Sequence, residues 1–195
     1  GPREQIVAQA ANTHGAANQD AAAATPDILS LLAADHAEVS AALDEYDDMG
    51  EDEDQSSGRQ ELAQRICRML TVHSTIEEEF FYPAARKAGV DPDLLDEAGV
   101  EHASVKRLIA QIEASDPDDR LYDAKVKVLG EYVRHHVEEE EGSLFDECRR
   151  TKMDLYAIVM PMATRRAELM RADGSAPRGR GKRAAKKATD AATPG

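Results

Sequence analysis

The stretch Tyr-Val-Arg-His-His-Val-Glu-Glu-Glu-Glu-Gly-Ser-Leu-Phe, from Tyr132 to Phe145, sets a histidine and a carboxylate one helical turn apart. His136 and Glu140 are four residues apart, so on an α-helix one side chain lies above the other. Burying a carboxylate is costly unless a counter-charge or a metal accompanies it. The pair is therefore a candidate metal-binding unit. Apolar residues at helical spacing predict that the pair faces inward: Leu129, Tyr132, Val133 and Leu144.

The same spacing occurs a second time, at His73 and Glu77. Two more histidines, His36 and His102, also lie on apolar stripes of predicted amphipathic helices. Each of four predicted helices thus directs one histidine towards a common core. Packing alone explains such a set poorly, because every buried imidazole or carboxylate would need its own polar partner.

The periodicity predicts an all-α protein, an up-down antiparallel four-helix bundle over residues 26–150. Thr25-Pro26-Asp27 is typical of a helix start, and breaks at Gly89–Pro92 and Asp116-Pro117 separate the later helices. Residues 1–25 are predicted to be a partly disordered leader, beginning with what resembles a protease-cleavage scar. Residues 151–172 are predicted to form an extra C-terminal helix, broken at Pro161 within Met153–Met170, and residues 173–195 a basic, disordered tail.

The charge distribution disfavours nucleic acid as a partner of the bundle. The chain carries a formal net charge of −14. From Arg171 to the end there are seven Lys or Arg and two Asp, so the tail is +5 and the rest −19. The favoured role of the tail is to solubilise the protein, and the alternative is transient binding of the tail to nucleic acid or to an acidic partner.

The remaining bulk features predict a cytoplasmic protein that does not enter membranes. No apolar run approaches the roughly 20 residues that a membrane-spanning helix needs. The two cysteines, Cys67 and Cys148, form no Cys-x-x-Cys motif, which favours reduced thiols over a disulfide framework.

The candidate ligands are four imidazoles and two carboxylates, a mixture that suits iron or manganese. Bridging carboxylates can hold two metals about 3.5–4 Å apart. Two six-coordinate ions need about twelve ligand positions, and these side chains fill about eight of them. An oxo or hydroxo bridge would take two more, which leaves about one open position per ion. Dioxygen, peroxide or nitric oxide could bind there. The candidate ligands are His36, His73, Glu77, His102, His136 and Glu140.

Over residues 27–150 the chain resembles the hemerythrin-like, or HHE cation-binding, family, in particular its actinobacterial members. The resemblance implies a four-helix bundle around two iron ions, with those six residues as ligands and the two glutamates bridging. It rests on the following residues: Asp35-His36, His73-x-x-x-Glu77-Glu78 with Tyr82-Pro83, Glu101-His102, and His135-His136-x-x-x-Glu140-Glu141 with Leu144-Phe145.

One departure from the family bears on function. Oxygen-carrying hemerythrins have a second histidine one turn after the third-helix histidine, and here that position is Lys106. The resemblance therefore implies redox turnover or sensing more than reversible oxygen transport. Among the activities of the family we expect catalase-like peroxide decomposition, with oxygen, nitric oxide or iron sensing and reversible oxygen binding as alternatives.

Two assignments stay open at this level. His135 could replace His136 as the ligand, but the residue four before His135 is Glu131, whereas apolar residues precede His136 by one turn. Tyr132, one turn before His136, could donate a hydrogen bond to a bound oxygen species or ligate iron. The favoured interpretation of Tyr132 is a core tyrosine with a satisfied hydroxyl. Rival frameworks are absent: no histidine has a glutamate three residues before it, and no His-Glu-x-x-His occurs.

Overall fold

The computed structural model describes residues 24–50 and 56–175, which are helical with no strand in either range. Two π-helical turns, Glu77–Phe81 and Glu140–Leu144, join α2 to α3 and α5 to α6, so that each pair forms one continuous rod. The prediction of an all-α fold is confirmed. The α-helices are α1 Ile28–Asp48, α2 Ser56–Ile76, α3 Tyr82–Ala88, α4 Pro92–Ala114, α5 Tyr122–Glu139, α6 Phe145–Arg150 and α7 Val159–Ser175.

The predicted four-helix bundle is confirmed as well. α1, the α2–α3 rod, α4 and the α5–α6 rod pack around a common axis, each against its two neighbours. Local signals set the ends: the Asp27 carboxylate accepts a hydrogen bond from the Ser30 amide at 2.8 Å and caps α1. Gly89, with φ of 89°, ends α3 in a left-handed conformation that glycine adopts without strain.

The core consists of two apolar clusters with polar residues between them. One cluster lies towards the end of α1 and the connection between α4 and α5, and includes Leu43, Ile66 and Leu129. The other lies towards the π turns and the start of α1, and includes Leu29 and Phe81. The predicted histidines and glutamates lie between the two clusters and are buried. The apolar clusters thus hold both ends of the helices and exclude water from the middle.

A fifth helix packs on the bundle, but it differs from the broken helix predicted over Met153–Met170. α7 begins only at Val159, and Pro161 lies in its first turn. A proline there sacrifices no helical hydrogen bond, because the first amides of a helix have no acceptor within it. Pro161 therefore does not break the helix. Arg165 of α7 pairs with Glu79 at 2.8 Å, which holds α7 against the second rod.

The predictions for the leader through residue 23 and for the basic tail from residue 176 fall outside the described residues. α7 includes residues 173–175, which were assigned to the tail. Across the described ranges, no helix is both long and apolar enough to span a membrane.

Both thiols should be unreactive while the protein is folded. Cys67 and Cys148 are buried, and burial raises the pKa of each to about 12. At pH 8 about one in ten thousand would then be thiolate, the nucleophilic form. We expect a disulfide reagent such as DTNB to modify neither cysteine of the native protein and both in denaturant. Rapid modification of a native thiol would contradict this packing.

Candidate metal centre

Six side chains converge between the two apolar clusters, one histidine from each of the four bundle helices and the two glutamates that begin the π turns. All four imidazoles direct Nε2 towards the middle. The Nε2 atoms form two close pairs, 3.0 Å apart in one and 3.1 Å apart in the other. The first pair is His36 with His73, and the second is His102 with His136.

Glu77 lies between the two pairs. Its Oε1 atom is 3.1 Å from His73 Nε2, and its Oε2 atom is 3.2 Å from His102 Nε2. Glu140 also reaches both pairs, since Oε2 is 3.2 Å from His36 Nε2 and 3.6 Å from His136 Nε2. The donors therefore fall into two adjoining groups that share Glu77.

These donor separations fit metal coordination. Metal bonds to imidazole nitrogen and carboxylate oxygen are about 2.0–2.2 Å long, so neighbouring ligands of an octahedral ion lie about 3 Å apart. The Nε2–Nε2 distances of 3.0 and 3.1 Å match that edge length. The arrangement suits two ions side by side, one at each histidine pair.

The hydrogen-bonding pattern is incomplete without cations. Each imidazole has its Nδ1 atom beside a carboxylate oxygen, which can only accept, so a neutral imidazole carries its single N–H there. The Nε2 atoms are then acceptors that face other acceptors. Glu77 Oε1 and Glu140 Oε2 are buried with no hydrogen-bond partner. Orphaned acceptors at this depth are costly, and a cation would satisfy them.

The carboxylates beside Nδ1 form a closed ring around the bundle. In each case a carboxylate from one helix rod accepts from the histidine of the next rod, and the fourth returns to the first. Such contacts fix the tautomer and orientation of a metal-binding imidazole. The pairs are Asp35 with His73 at 3.3 Å, Glu78 with His102 at 3.0 Å, Glu101 with His136 at 2.6 Å, and Glu141 with His36 at 2.8 Å.

Helix geometry explains why the ring closes. Each ring carboxylate is the sequence neighbour of a central residue, and one residue turns the helix by about 100°. Asp35 and Glu101 precede their central histidines on helices that run one way. Glu78 and Glu141 follow their central glutamates on rods that run the other way. Seen along the bundle axis, a residue before the central one on an upward helix and a residue after it on a downward helix are rotated in the same direction. Every ring carboxylate therefore points to the next rod.

The charges around the centre do not balance without metal. Two central and four ring carboxylates surround four imidazoles. Two cations pair with ring members: Lys106 Nζ lies 2.6 Å from Glu78, and Arg166 of α7 contacts Asp35. If the imidazoles are neutral, four of the six negative charges remain uncompensated. Two divalent metal ions carry four positive charges and would balance them.

The electrostatics of the metal-free protein reflect the same excess of negative charge. Burial alone would lower the pKa of His73, but the carboxylates of Glu77 and Asp35 outweigh it and raise that pKa to about 10. The pKa of Glu77 is lowered well below its usual value, because His73 and His102 outweigh the opposing effect of burial. A proton thus partly substitutes for a cation, and metal binding would displace it.

Tyr82 is a central residue that the sequence analysis did not assign. Its hydroxyl donates to Glu140 Oε1 at 3.1 Å and lies 3.1 Å from His102 Nε2. Burial and the nearby carboxylates of Glu77 and Glu140 raise its pKa above the usual range, so the phenol keeps its proton. In an α-helix a residue five positions after Glu77 would point away from it. The π turn brings Tyr82 back, and its amide donates to the Glu77 carbonyl.

Pro83 is the signal that could have indicated this turn. It has no N–H and so cannot donate to a carbonyl one turn earlier, which disturbs a regular α-helical ladder. π-Helical turns within α-helices are frequent at functional sites. Both turns here begin at a central glutamate.

The structure places the two open candidates differently. His136 is buried in the centre, whereas the His135 side chain is 64% exposed and pairs with Glu139 on the outer face of α5. Tyr132 is 48% exposed and does not belong to the apolar stripe, contrary to the sequence interpretation. Leu129, Val133, His136 and Glu140 define that stripe, and at 100° per residue Tyr132 lies about 70° from its middle.

Removing one central carboxylate should abolish stabilisation by metal. In Glu140→Gln the chain loses a charge and one shared oxygen. Wild-type protein with free Fe²⁺ at 100 times Kd should gain about 2.7 kcal/mol for each bound ion, which for this size is about 5–10 °C in Tm per ion. We expect thermal unfolding of the variant to show little or no gain. Glu138→Gln, on the exposed face of α5, is the control and should behave as wild type.

The ring contacts should tune metal affinity. Asp35→Asn weakens the acceptor for His73 Nδ1, so we expect about 10–100-fold weaker metal binding, measured by competition with a chelator. Glu38→Gln removes an exposed carboxylate from the same helix and should change the affinity little. Equal affinities in the two variants would contradict a role for the ring.

Comparison with known proteins places the bundle in context. A "DNA nickase" from Nostoc sp. (strain PCC 7120 / SAG 25.82 / UTEX 2576) is 36% identical over 93 residues, which are 46% of this chain and 25% of that protein. The chain thus spans about a quarter of that relative. The crystal structure of a hemerythrin HHE cation-binding domain-containing protein from Mycobacterium kansasii superposes with a TM-score of 0.62. It is 19% identical, and the match covers 76% of this chain and 90% of that one, a likeness of fold.

The family description "Hemerythrin HHE cation binding domain" matches residues 27–148, which contain all six central residues and the four ring carboxylates. The match ends just before α6 does and leaves α7 outside. The chain therefore belongs to the hemerythrin HHE cation-binding domain family.

Proposed function

We propose that this protein holds two iron ions between its four central histidines and uses them to decompose hydrogen peroxide. The observation that carries the proposal is the pair of buried, unpartnered carboxylate oxygens, Glu77 Oε1 and Glu140 Oε2, among four Nε2 atoms. Glu77 joins the two donor groups, which supports a dinuclear centre rather than two separate sites.

The donor set favours a redox-active ion. Imidazole and carboxylate donors suit iron, and thiolates, which would favour zinc or copper(I), are absent from the two donor groups. Two iron ions held by the four central histidines, Glu77 and Glu140 would supply two neighbouring one-electron redox centres for reaction with an oxygen species. Manganese would fit similar donors, and elemental analysis separates the two metals.

Peroxide decomposition converts two molecules of hydrogen peroxide into one dioxygen and two waters, so no outside reductant is needed. Protons must move between the two peroxide molecules. The Tyr82 hydroxyl keeps its proton beside Glu77, Glu140 and His102, which suits it to donate a hydrogen bond at the centre while those protons move. The ring carboxylates meanwhile hold each imidazole in place.

Lys106 supports turnover over reversible oxygen transport. At the position where oxygen carriers have a further histidine, the Lys106 ammonium points outward to Glu78 at 2.6 Å and is partly exposed. It supplies no ligand to the second donor group, where the Tyr82 hydroxyl lies instead. We infer that this half of the centre has more room for oxygen ligands than a carrier would have.

Sensing is the second candidate, favoured by one contact. Arg166 of α7 reaches Asp35, whose other oxygen faces His73 Nδ1, so a change at the centre has a direct path to the fifth helix. A sensor of oxygen, nitric oxide or iron would use this path to report its state. The nicking of DNA named for the Nostoc relative fits less well, because the chain carries a net charge of −14.

Metal analysis and peroxide turnover test the proposal together. We expect about two irons per chain, a near-ultraviolet charge-transfer band, and dioxygen release from peroxide. Tyr82→Phe should keep the iron and slow turnover about tenfold, because losing a hydrogen bond of about 1.4 kcal/mol in the transition state corresponds to a factor of ten in rate. Leu121→Phe, on the exposed surface at the opposite end of the bundle, should match wild type.

Iron-loaded protein that releases no dioxygen would contradict peroxide decomposition. Zinc alone in the centre would contradict redox chemistry altogether. DNA nicking is tested by incubating the protein with supercoiled plasmid, and we expect no conversion to nicked circles.

A further inference from the structure

A second group of metal-type side chains lies on the surface beside the centre. His135, exposed on α5, has its Nε2 atom 3.3 Å from Glu139 Oε1 and 3.6 Å from Glu101 Oε1. The three candidate donor atoms all lie within 4.8 Å of one another. This group, which we call the outer trio, consists of His135, Glu139 and Glu101.

The spacing of the outer trio fits one small divalent ion. With bonds of about 2.1 Å, ligands of a tetrahedral ion lie about 3.4 Å apart, which falls between the two observed distances. One imidazole and two carboxylates form a donor set of the kind that binds Zn²⁺ and Fe²⁺. Exposure leaves the remaining positions of such an ion to water.

Glu101 belongs both to the outer trio and to the ring. Its Oε1 atom faces His135, and its Oε2 atom accepts from His136 Nδ1 at 2.6 Å. An ion at the outer trio would therefore lie one carboxylate away from a central imidazole. No other ring carboxylate of the described chain belongs to such an exposed histidine-containing group.

A crevice borders two members of the outer trio, Glu101 and Glu139. Its walls include Glu101 and Glu139 at the surface and His136 and Glu140 at depth, between α4 and α5. Its free volume is about 20 Å³, enough for about one water molecule. A divalent ion could pass through so small a volume only after losing most of its water of hydration. Carboxylates line the crevice at both ends and would replace that water as ligands.

We propose that the outer trio is a surface site for a divalent cation and that it delivers iron through this crevice to the buried centre. The delivery step rests on the proposed dinuclear function, whereas cation binding by the outer trio does not. The site captures the hydrated ion, and the central carboxylates, with their unpartnered oxygens, bind it more strongly.

Binding is tested with Co²⁺ on full-length protein whose centre is already loaded with iron. We expect one additional, weaker Co²⁺ per chain, detected by its visible d–d absorption. In His135→Ala/Glu139→Gln its affinity should fall at least about tenfold. Glu131→Gln/Glu138→Gln, which removes two exposed carboxylates from the same helix, is the matched control and should bind as wild type.

Delivery is tested by stopped-flow mixing of metal-free protein with Fe²⁺ in air, following the charge-transfer band. We expect loading at limiting Fe²⁺ to slow at least about fivefold in His135→Ala/Glu139→Gln, with the final iron content unchanged. Absence of the additional Co²⁺ in wild type, or its persistence in the double variant, would overturn the surface site. Unchanged loading rates would overturn delivery. A centre that takes no iron would instead contradict the proposed function, and the Co²⁺ titration would still decide the surface site.

Discussion

The structure depends on a surplus of hydrogen-bond acceptors buried in the middle of a helical bundle. Four imidazole nitrogens and two carboxylates meet there, and two of the carboxylate oxygens have no partner. In an apolar interior this arrangement is costly unless cations neutralise it. The apolar clusters on both sides supply the stability that allows the fold to hold such a group. Metal binding and folding are therefore expected to be coupled.

The ring of carboxylates links the buried acceptors of the centre to residues on the outside of the bundle. Each ring carboxylate holds a histidine of the next rod, so a shift of one helix alters the orientation of a ligand on its neighbour. Two ring members reach further: Asp35 contacts Arg166 of α7, and Glu101 contacts His135 at the surface. Through these contacts the ring connects the centre to the fifth helix on one side and to an exposed histidine on another.

Much of the fold could be predicted from sequence, because the apolar stripes, the turn residues and the repeated His-x-x-x-Glu spacing all agree on a four-helix bundle. That spacing, together with the histidines on the apolar stripes of the other two helices, led to the six residues that the structure brings together. The sequence analysis did not assign Tyr82, because the five-residue interval from Glu77 brings it to the centre only within a π turn, for which Pro83 was the available signal. It misjudged Tyr132, since a residue at the edge of an apolar stripe can face either way. The ring could not be predicted because its carboxylates resemble ordinary solvent-exposed charges in the sequence. Their role depends on which histidine the neighbouring rod brings beside them.

Anomalous diffraction at the iron absorption edge, from crystals of the protein as purified, tests the central claim most directly. The account predicts two peaks about 3.5–4 Å apart, one beside His36 and His73 and the other beside His102 and His136. A single peak, or peaks away from Glu77 and Glu140, would contradict it.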